Sequence, residues 1–235
     1  MVINKEDRGE ADRVFTLYTK DFGKVKVVGR GIRKITSKLK SGIEIFFLSE
    51  IEFVQGKTQN TLIDTVPLQK FPKIRGNLKK MSIAYRMTQV LDELIKGSEP
   101  DLNLWNFLIE VFNKLENYNP KKPNLDFIFY FFLWNLFSFL GYQPQLYFCV
   151  FCQKRLPPKE LYFIFEEGGI ACQNCFLKVK LKEKSILKIS PQVVKILRLI
   201  LEKNWQILKK IKISKSFKIK LKEISEKYFL WISSL

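Results

Sequence analysis

Residues Val14–Gly31 read VFTLYTKDFGKVKVVGRG, and this stretch decides how the first third of the chain is built. Val14–Thr19 is rich in β-branched and aromatic residues. Asp21-Phe22-Gly23 is a turn signal, and in Lys24–Gly31 lysine alternates with valine. Two strands joined by a tight turn satisfy that pattern. The period of two puts Lys24 and Lys26 on one face and Val25 and Val27 on the other. Three further strand-like runs follow, IEIFFLS (Ile43–Ser49), IEFVQG (Ile51–Gly56) and TLIDTVPL (Thr61–Leu68). Five short strands in fewer than eighty residues predict a small β barrel, for which the five-stranded OB barrel is the best-known nucleic-acid-binding design.

Past Pro72 the apolar period becomes helical. Met81, Ala84, Tyr85, Leu91, Leu94 and Ile95 share a stripe that ends at Gly97; Trp105, Leu108, Val111, Phe112 and Leu115 repeat it. Asn119–Pro123 reads as a loop. Phe127–Leu140, FIFYFFLWNLFSFL, is shorter than the roughly 20 apolar residues a membrane span needs, and Asp126, Asn135 and Ser138 flank or interrupt it. It is expected as a buried core helix. Ser190-Pro191 marks a helix start, a cap residue followed by a first-turn proline, and the last amphipathic stretch carries Leu221, Ile224, Tyr228 and Ile232. The expected architecture is α+β: an OB-type nucleic-acid-binding domain over 1–76, then an α-helical domain over 77–235 with a cysteine module inserted at about 146–178.

All four cysteines fall in that module, as Cys149/Cys152 and Cys172/Cys175, two C-x-x-C pairs nineteen residues apart in a chain with no histidine. The spacing matches a four-thiolate zinc site. A two-residue spacer lets one turn present two sulfurs to one ion, and a short hairpin between two such turns closes a tetrahedron. A closed shell leaves no position for a reacting water, so the predicted zinc is structural. Gly168-Gly169 supplies the turn ahead of the second pair, and Lys154, Arg155 and Lys178 are placed to offset the site's negative charge. Rubredoxin-type iron shares the ligand set. Two disulfides would need an oxidising compartment, and a redox C-x-x-C needs no second pair.

The 41 basic and 23 acidic residues give a net charge of +18, which favours a polyanionic partner. Part of the lysine excess also reads as solvated surface. From Lys24 to Lys40 there are seven basic residues and no acidic one: Lys24, Lys26, Arg30, Arg33, Lys34, Lys38 and Lys40. On a small barrel these would track a phosphate backbone without reading sequence. Phe22, at the hairpin tip, is either a base-stacking group or core. Lys178–Leu235 adds 16 basic against 4 acidic residues. No histidine is present for general-base work, and there is no phosphate-binding glycine loop, no G-x-S-x-G and no paired carboxylates. Glu166 and Glu167, being adjacent, would point to opposite faces of a hairpin. A non-enzymatic binder is expected, with an RNA-binding or ribosome-associated zinc protein as the alternative. No apolar leader stands at the first residues and cysteine use is sparse, so a cytoplasmic, nucleoid-associated protein is expected, without a membrane partner.

Three phrases carry a resemblance to a known family. RGEADRVFTLYTKDFGKVKVVGRGIRK (Arg8–Lys34), continued by Ser37-Lys38-Leu39, resembles the opening strands and basic loop of the RecO family of bacterial recombination mediators. LFSFLGYQPQLYFCVFCQ (Leu136–Gln153) is similar to its phrase around the first cysteine pair, and GGIACQNC (Gly168–Cys175) to the second. Arg30 stands where members often carry lysine, and the last fifty residues align only by helical pattern. The resemblance implies an OB barrel, a helical domain and one structural Zn²⁺. It also implies binding of single- and double-stranded DNA, strand annealing, and action with RecR to load RecA onto gaps coated by single-strand-binding protein, whose C-terminal tail is a further partner.

Overall fold

The computed structural model describes residues 1–120, 124–179, 185–211 and 214–235. The predicted loop at Asn119–Pro123 lies partly outside them. Contacts divide the chain into two compact units, Met1–Phe129 and Tyr130–Leu235.

The first unit opens with strands β1 (Val2–Arg8), β2 (Asp12–Thr19) and β3 (Gly23–Gly29), followed by β4 (Leu48–Gln55) and β5 (Asn60–Gln69). The sheet order is β1-β2-β3-β5-β4. The hairpin read from Val14–Gly31 is present, with Phe15 facing Val27 and Leu17 facing Val25. β3 and β5 pair in parallel through only two residue pairs, Val27 with Asn60 and Val28 with Thr61.

The strands differ from those expected in two places. β1 was not anticipated, because its sequence VINKEDR carries only two apolar residues before a charged run. It exists because β2 supplies its hydrogen-bond partners and an edge strand tolerates charge. IEIFFLS is not a strand before Leu48. Phe46 takes φ +68°, a left-handed turn that breaks extended backbone, and buries its ring edge-to-face on Tyr85 at 4.7 Å. Ile43, Ile45 and Phe47 are buried with it. The run acts as a plug under the sheet, and its apolar residues mimic a strand in sequence.

The expected closed barrel is not formed. β1 and β4 are the two outer strands, with no ladder between them. The seam is bridged just ahead of β4, where Val2 N–H donates to Phe47 O and Phe46 N–H to Val2 O, each at 3.0 Å. Lys5 of β1 also pairs with Glu44. The turn at Phe46 stops this contact from extending into β4.

Helices α1 (Pro72–Arg75), α2 (Leu78–Leu94) and α3 (Leu102–Asn117) complete the unit, and α2 packs on β1. Asn77 and Asp101 cap α2 and α3 through their side-chain oxygens. Glu116 is buried and accepts the backbone N–H groups of Lys73 and Ile74, satisfying the start of α1. The buried Lys80 ammonium donates to Glu116 O at 2.6 Å.

α4 (Phe127–Phe139) is the predicted core helix: Phe127 to Trp134, Leu136 and Phe137 are all buried. No described helix is long and apolar enough to cross a membrane. In the second unit, β6 (Leu161–Ile164), β7 (Gly169–Cys172) and β8 (Ile186–Ile189) form an antiparallel sheet of order β7-β6-β8, with the short α5 (Gln173–Phe176) after β7. α6 (Pro191–Leu201), α7 (Trp205–Leu208) and α8 (Lys215–Ser233) follow. Ser190 caps α6 by accepting from Val193 N–H, as its Ser-Pro start predicts. The core is aromatic: Trp134 stacks on Tyr228 at 5.3 Å and donates its indole N–H to Ser225.

Candidate nucleic-acid interface and metal centre

The basic run starts on β3 and continues through the crossover that leads to β4. Asp12 accepts the Gly31 N–H at 2.7 Å, and Arg33 N–H donates to Ala11 O at 2.9 Å. These bonds pin the loop against the β1–β2 turn. Gly31 adopts φ +61°, which a glycine accommodates without strain. Gly29 serves packing rather than ligand approach. A Cβ there would lie 3.0 Å from the Ile32 side chain, which is buried beneath the turn. Beyond it, Lys38–Ser41 forms a 3-10 turn tied to the sheet by Thr65 Oγ1 donating to Leu39 O at 3.1 Å.

The seven basic residues fall into three groups. Lys26, Arg30, Lys34, Lys38 and Lys40 are exposed and make no ion pair among the described residues. Arg33 is exposed but engaged, donating to Gly9 O at 3.0 Å and lying 3.6 Å from Asp7. That carboxylate is held below its usual range chiefly by the hydrogen bond from Arg13. Lys24 is turned inward. Its ammonium lies 2.7 Å from Asp92 Oδ1 and donates to the carbonyls of Asp92 and Ile95, the open end of α2. It therefore serves as a helix C-cap and strut.

In the second unit the four sulfur atoms all lie within 4.8 Å of one another. Four sulfurs about 2.3 Å from a central ion would be about 3.8 Å apart, so the cluster is sized for one tetrahedral metal. None of the cysteines is disulfide-bonded; Cys152 and Cys172 sulfurs stand 4.0 Å apart.

The hairpin β6–β7 carries the second pair at its end, and the first pair hangs on β7. Gln145 N–H donates to Gly168 O at 2.8 Å, Ile170 N–H to Gln145 O at 3.0 Å, and Val150 N–H to Ile170 O at 2.9 Å. A Cβ at Gly169 would sit 2.7 Å from Val150 Cγ1 and 2.8 Å from Gln145 O, so only glycine permits this approach. Gln153, at φ +56°, closes the first turn. The strand β8, packed on the other side of β6, has no counterpart in the expected hairpin. Its near neighbour Tyr162 stacks on Phe176 at 3.7 Å and clamps α5 to the sheet.

Local electrostatics suit a cation. Burial pushes the Cys149 thiol up, but amide hydrogens of Cys152, Cys172 and Phe151 outweigh it and bring the group from 9.0 to about 7. Desolvation, then the other three sulfurs, push Cys175 up to about 12. Sulfurs this close oppose one another's ionisation, and a divalent ion at their centre reverses that balance. Lys154, Arg155 and Lys178 are exposed.

Sheet, basic run and sulfur cluster together define a two-unit α+β protein with a run of exposed cations and a four-cysteine cluster sized for one metal ion. The chain belongs to the RecO family: the model for the Recombination protein O N terminus matches residues 1–71, and that for its C terminus matches 75–232. DNA repair protein RecO of Dehalococcoides mccartyi is 28% identical over 247 residues, covering 100% of this chain and 94% of the relative. The RecO of Desulforamulus reducens is 27% identical over 97% of this chain and 86% of its own length. That of Desulfitobacterium hafniense is 27% identical over 74% and 62%.

Proposed function

We propose that the chain is a DNA-binding protein of recombinational repair that acts without turnover. In this reading it binds single and double strands, promotes their annealing, and with RecR helps load RecA onto gaps coated by single-strand-binding protein. Membership of the RecO family supports the repair role. The observation that carries the binding role is the set of exposed cations with no ion pair among the described residues, Lys26, Arg30, Lys34, Lys38 and Lys40. Unpaired ammonium and guanidinium groups can exchange with condensed counterions on a phosphate backbone, and that release drives binding. A surface that neutralises two strands at once lowers their repulsion, which is the physical step annealing requires.

In the same reading residues 1–76 work as an OB-type domain, its seam drawn together at Val2, Phe46 and Phe47 in place of a full ladder. Cys149, Cys152, Cys172 and Cys175 hold one structural zinc. Zinc would supply the crosslink that fixes the hairpin; the residues themselves position the sulfurs and exclude water from Cys149.

The test is annealing of complementary strands pre-coated with single-strand-binding protein, with direct binding measured beside it. Affinity should fall by roughly 10³-fold or more between 50 and 200 mM salt if about six phosphates are engaged. Arg30→Ala and Lys34→Ala should each lower the salt slope by about 1. A flat salt response would overturn the reading, and tighter binding to RNA than to DNA of the same sequence would favour the ribosome-associated alternative.

A further inference from the structure

The β2–β3 turn holds an aromatic ring out in water with more restraint than a solvated turn requires. Phe22 is 57% exposed. Its N–H donates to Thr19 Oγ1 at 3.0 Å, and that hydroxyl donates to Gly23 O at 3.0 Å. Gly23, at φ +57°, sits so tightly under the next loop that a Cβ would fall 2.5 Å from the carbonyl oxygens of Ser98 and Glu99. One residue on, Lys24 is bound to Asp92 and Ile95. The turn is thus fixed from within, from below and from α2.

The ring is not packed into the core. It meets Phe53 edge-to-face, with centroids 5.4 Å apart and planes at 70°. The two rings border a cleft of about 480 Å³, lined also by Lys20, Ile51, Leu68 and Trp105, with the carboxylates of Asp21 and Glu50 at its wall. That volume lies within the roughly 300–1,000 Å³ of small-ligand pockets. Its walls come from the start of β1, the end of β2 with the turn after it, and β4.

We propose that this cleft receives a nucleobase swung out of a single strand. Phe22 is its stacking platform and Lys20 stands by the adjoining phosphate; the proposal rests on the DNA-binding reading above. Every base offers an apolar face to an aromatic ring, so such a contact tolerates any sequence. A platform rigid before binding loses little freedom when the base arrives. A duplex keeps its bases stacked on one another and has none to offer. The basic run engages any phosphate backbone, whereas the cleft engages only unpaired bases, so the two contacts can be separated by experiment.

The experiment compares wild type, Phe22→Ala and Phe22→Trp in binding three probes at one salt concentration. The probes are a mixed-sequence single strand, the same strand built entirely of abasic sites, and the blunt duplex. Wild type should prefer the base-bearing strand over the abasic one by roughly tenfold, the scale of one base–aromatic stack. Phe22→Ala should erase that preference and leave duplex affinity unchanged; Phe22→Trp should keep it. Equal losses on the base-bearing and abasic strands, or no loss in Phe22→Ala, would overturn the proposal. A wild-type protein that binds none of the probes would sink the DNA-binding reading, and the cleft's role with it.

Discussion

Lys24 and Lys26 stand two residues apart on one strand face, yet they do different work. Lys26 extends into solvent, whereas Lys24 is only 17% exposed and closes the end of α2. Nothing near Lys24 in sequence announces this, since its partners lie 68 and 71 residues away. Alternation is legible in a strand; the identity of a long-range partner is not. Lys24→Met should cost about 1–3 kcal/mol, because it strands a half-buried carboxylate and the helix-end carbonyls. It should leave the salt slope of DNA binding unchanged, while Lys34→Met should lower the slope and leave the denaturant midpoint in place. Chemical denaturation read beside a salt titration separates the two. Gly29 is a similar case: nothing beside it in sequence shows that the buried Ile32 side chain occupies the space a Cβ would need.

Among the elements, those with strong local periods were legible and those that depend on a neighbour were not. α2, α3, α6 and α8 follow their apolar stripes and caps, and α4 follows its apolar run. β1 owes its form to β2, and Ile43–Phe47 is apolar because it is buried, not because it is extended. The clustering of the four cysteines was legible because a four-thiolate site requires paired cysteines at a fixed spacing. The reason for Gly169 was only half legible: a turn glycine was expected, and the close passage of Gln145 and Val150 is what makes it obligatory. Gly169→Ala should therefore loosen the first sulfur pair, at a cost of about 1–3 kcal/mol from overpacking. Metal content after dialysis, compared with wild type, should fall below one ion per chain. A strong chelator should reproduce the effect on wild type, lowering the thermal midpoint while the five-stranded sheet, in the other unit, keeps its strand signal.

For the whole molecule, the notable property is a charge that hardly changes near neutrality. The chain has 41 basic residues and no histidine, and histidine is the side chain that ordinarily titrates between pH 5 and 8. Burial brings the amino group of Met1 down to about 5, so it is largely neutral at both pH 6 and pH 8. With the four cysteines ligating, the phosphate-binding charge should be the same at pH 6 and pH 8. Anisotropy titrations of the metal-loaded protein should give salt slopes that agree within error at both values. Total charge was legible from composition alone; which cations are free to use it required the ion pairs of the fold.

The unsealed sheet carries one more implication. Its two margins, β1 and β4, hold backbone groups that no ladder satisfies, and such margins invite neighbouring copies to stack into fibres. Here they are armoured: Glu6, Asp7 and Arg8 stand exposed on one rim, and Glu50 and Glu52 on the other. Charged side chains on an open sheet edge disfavour pairing with a second copy, so both rims carry a barrier to edge-to-edge stacking.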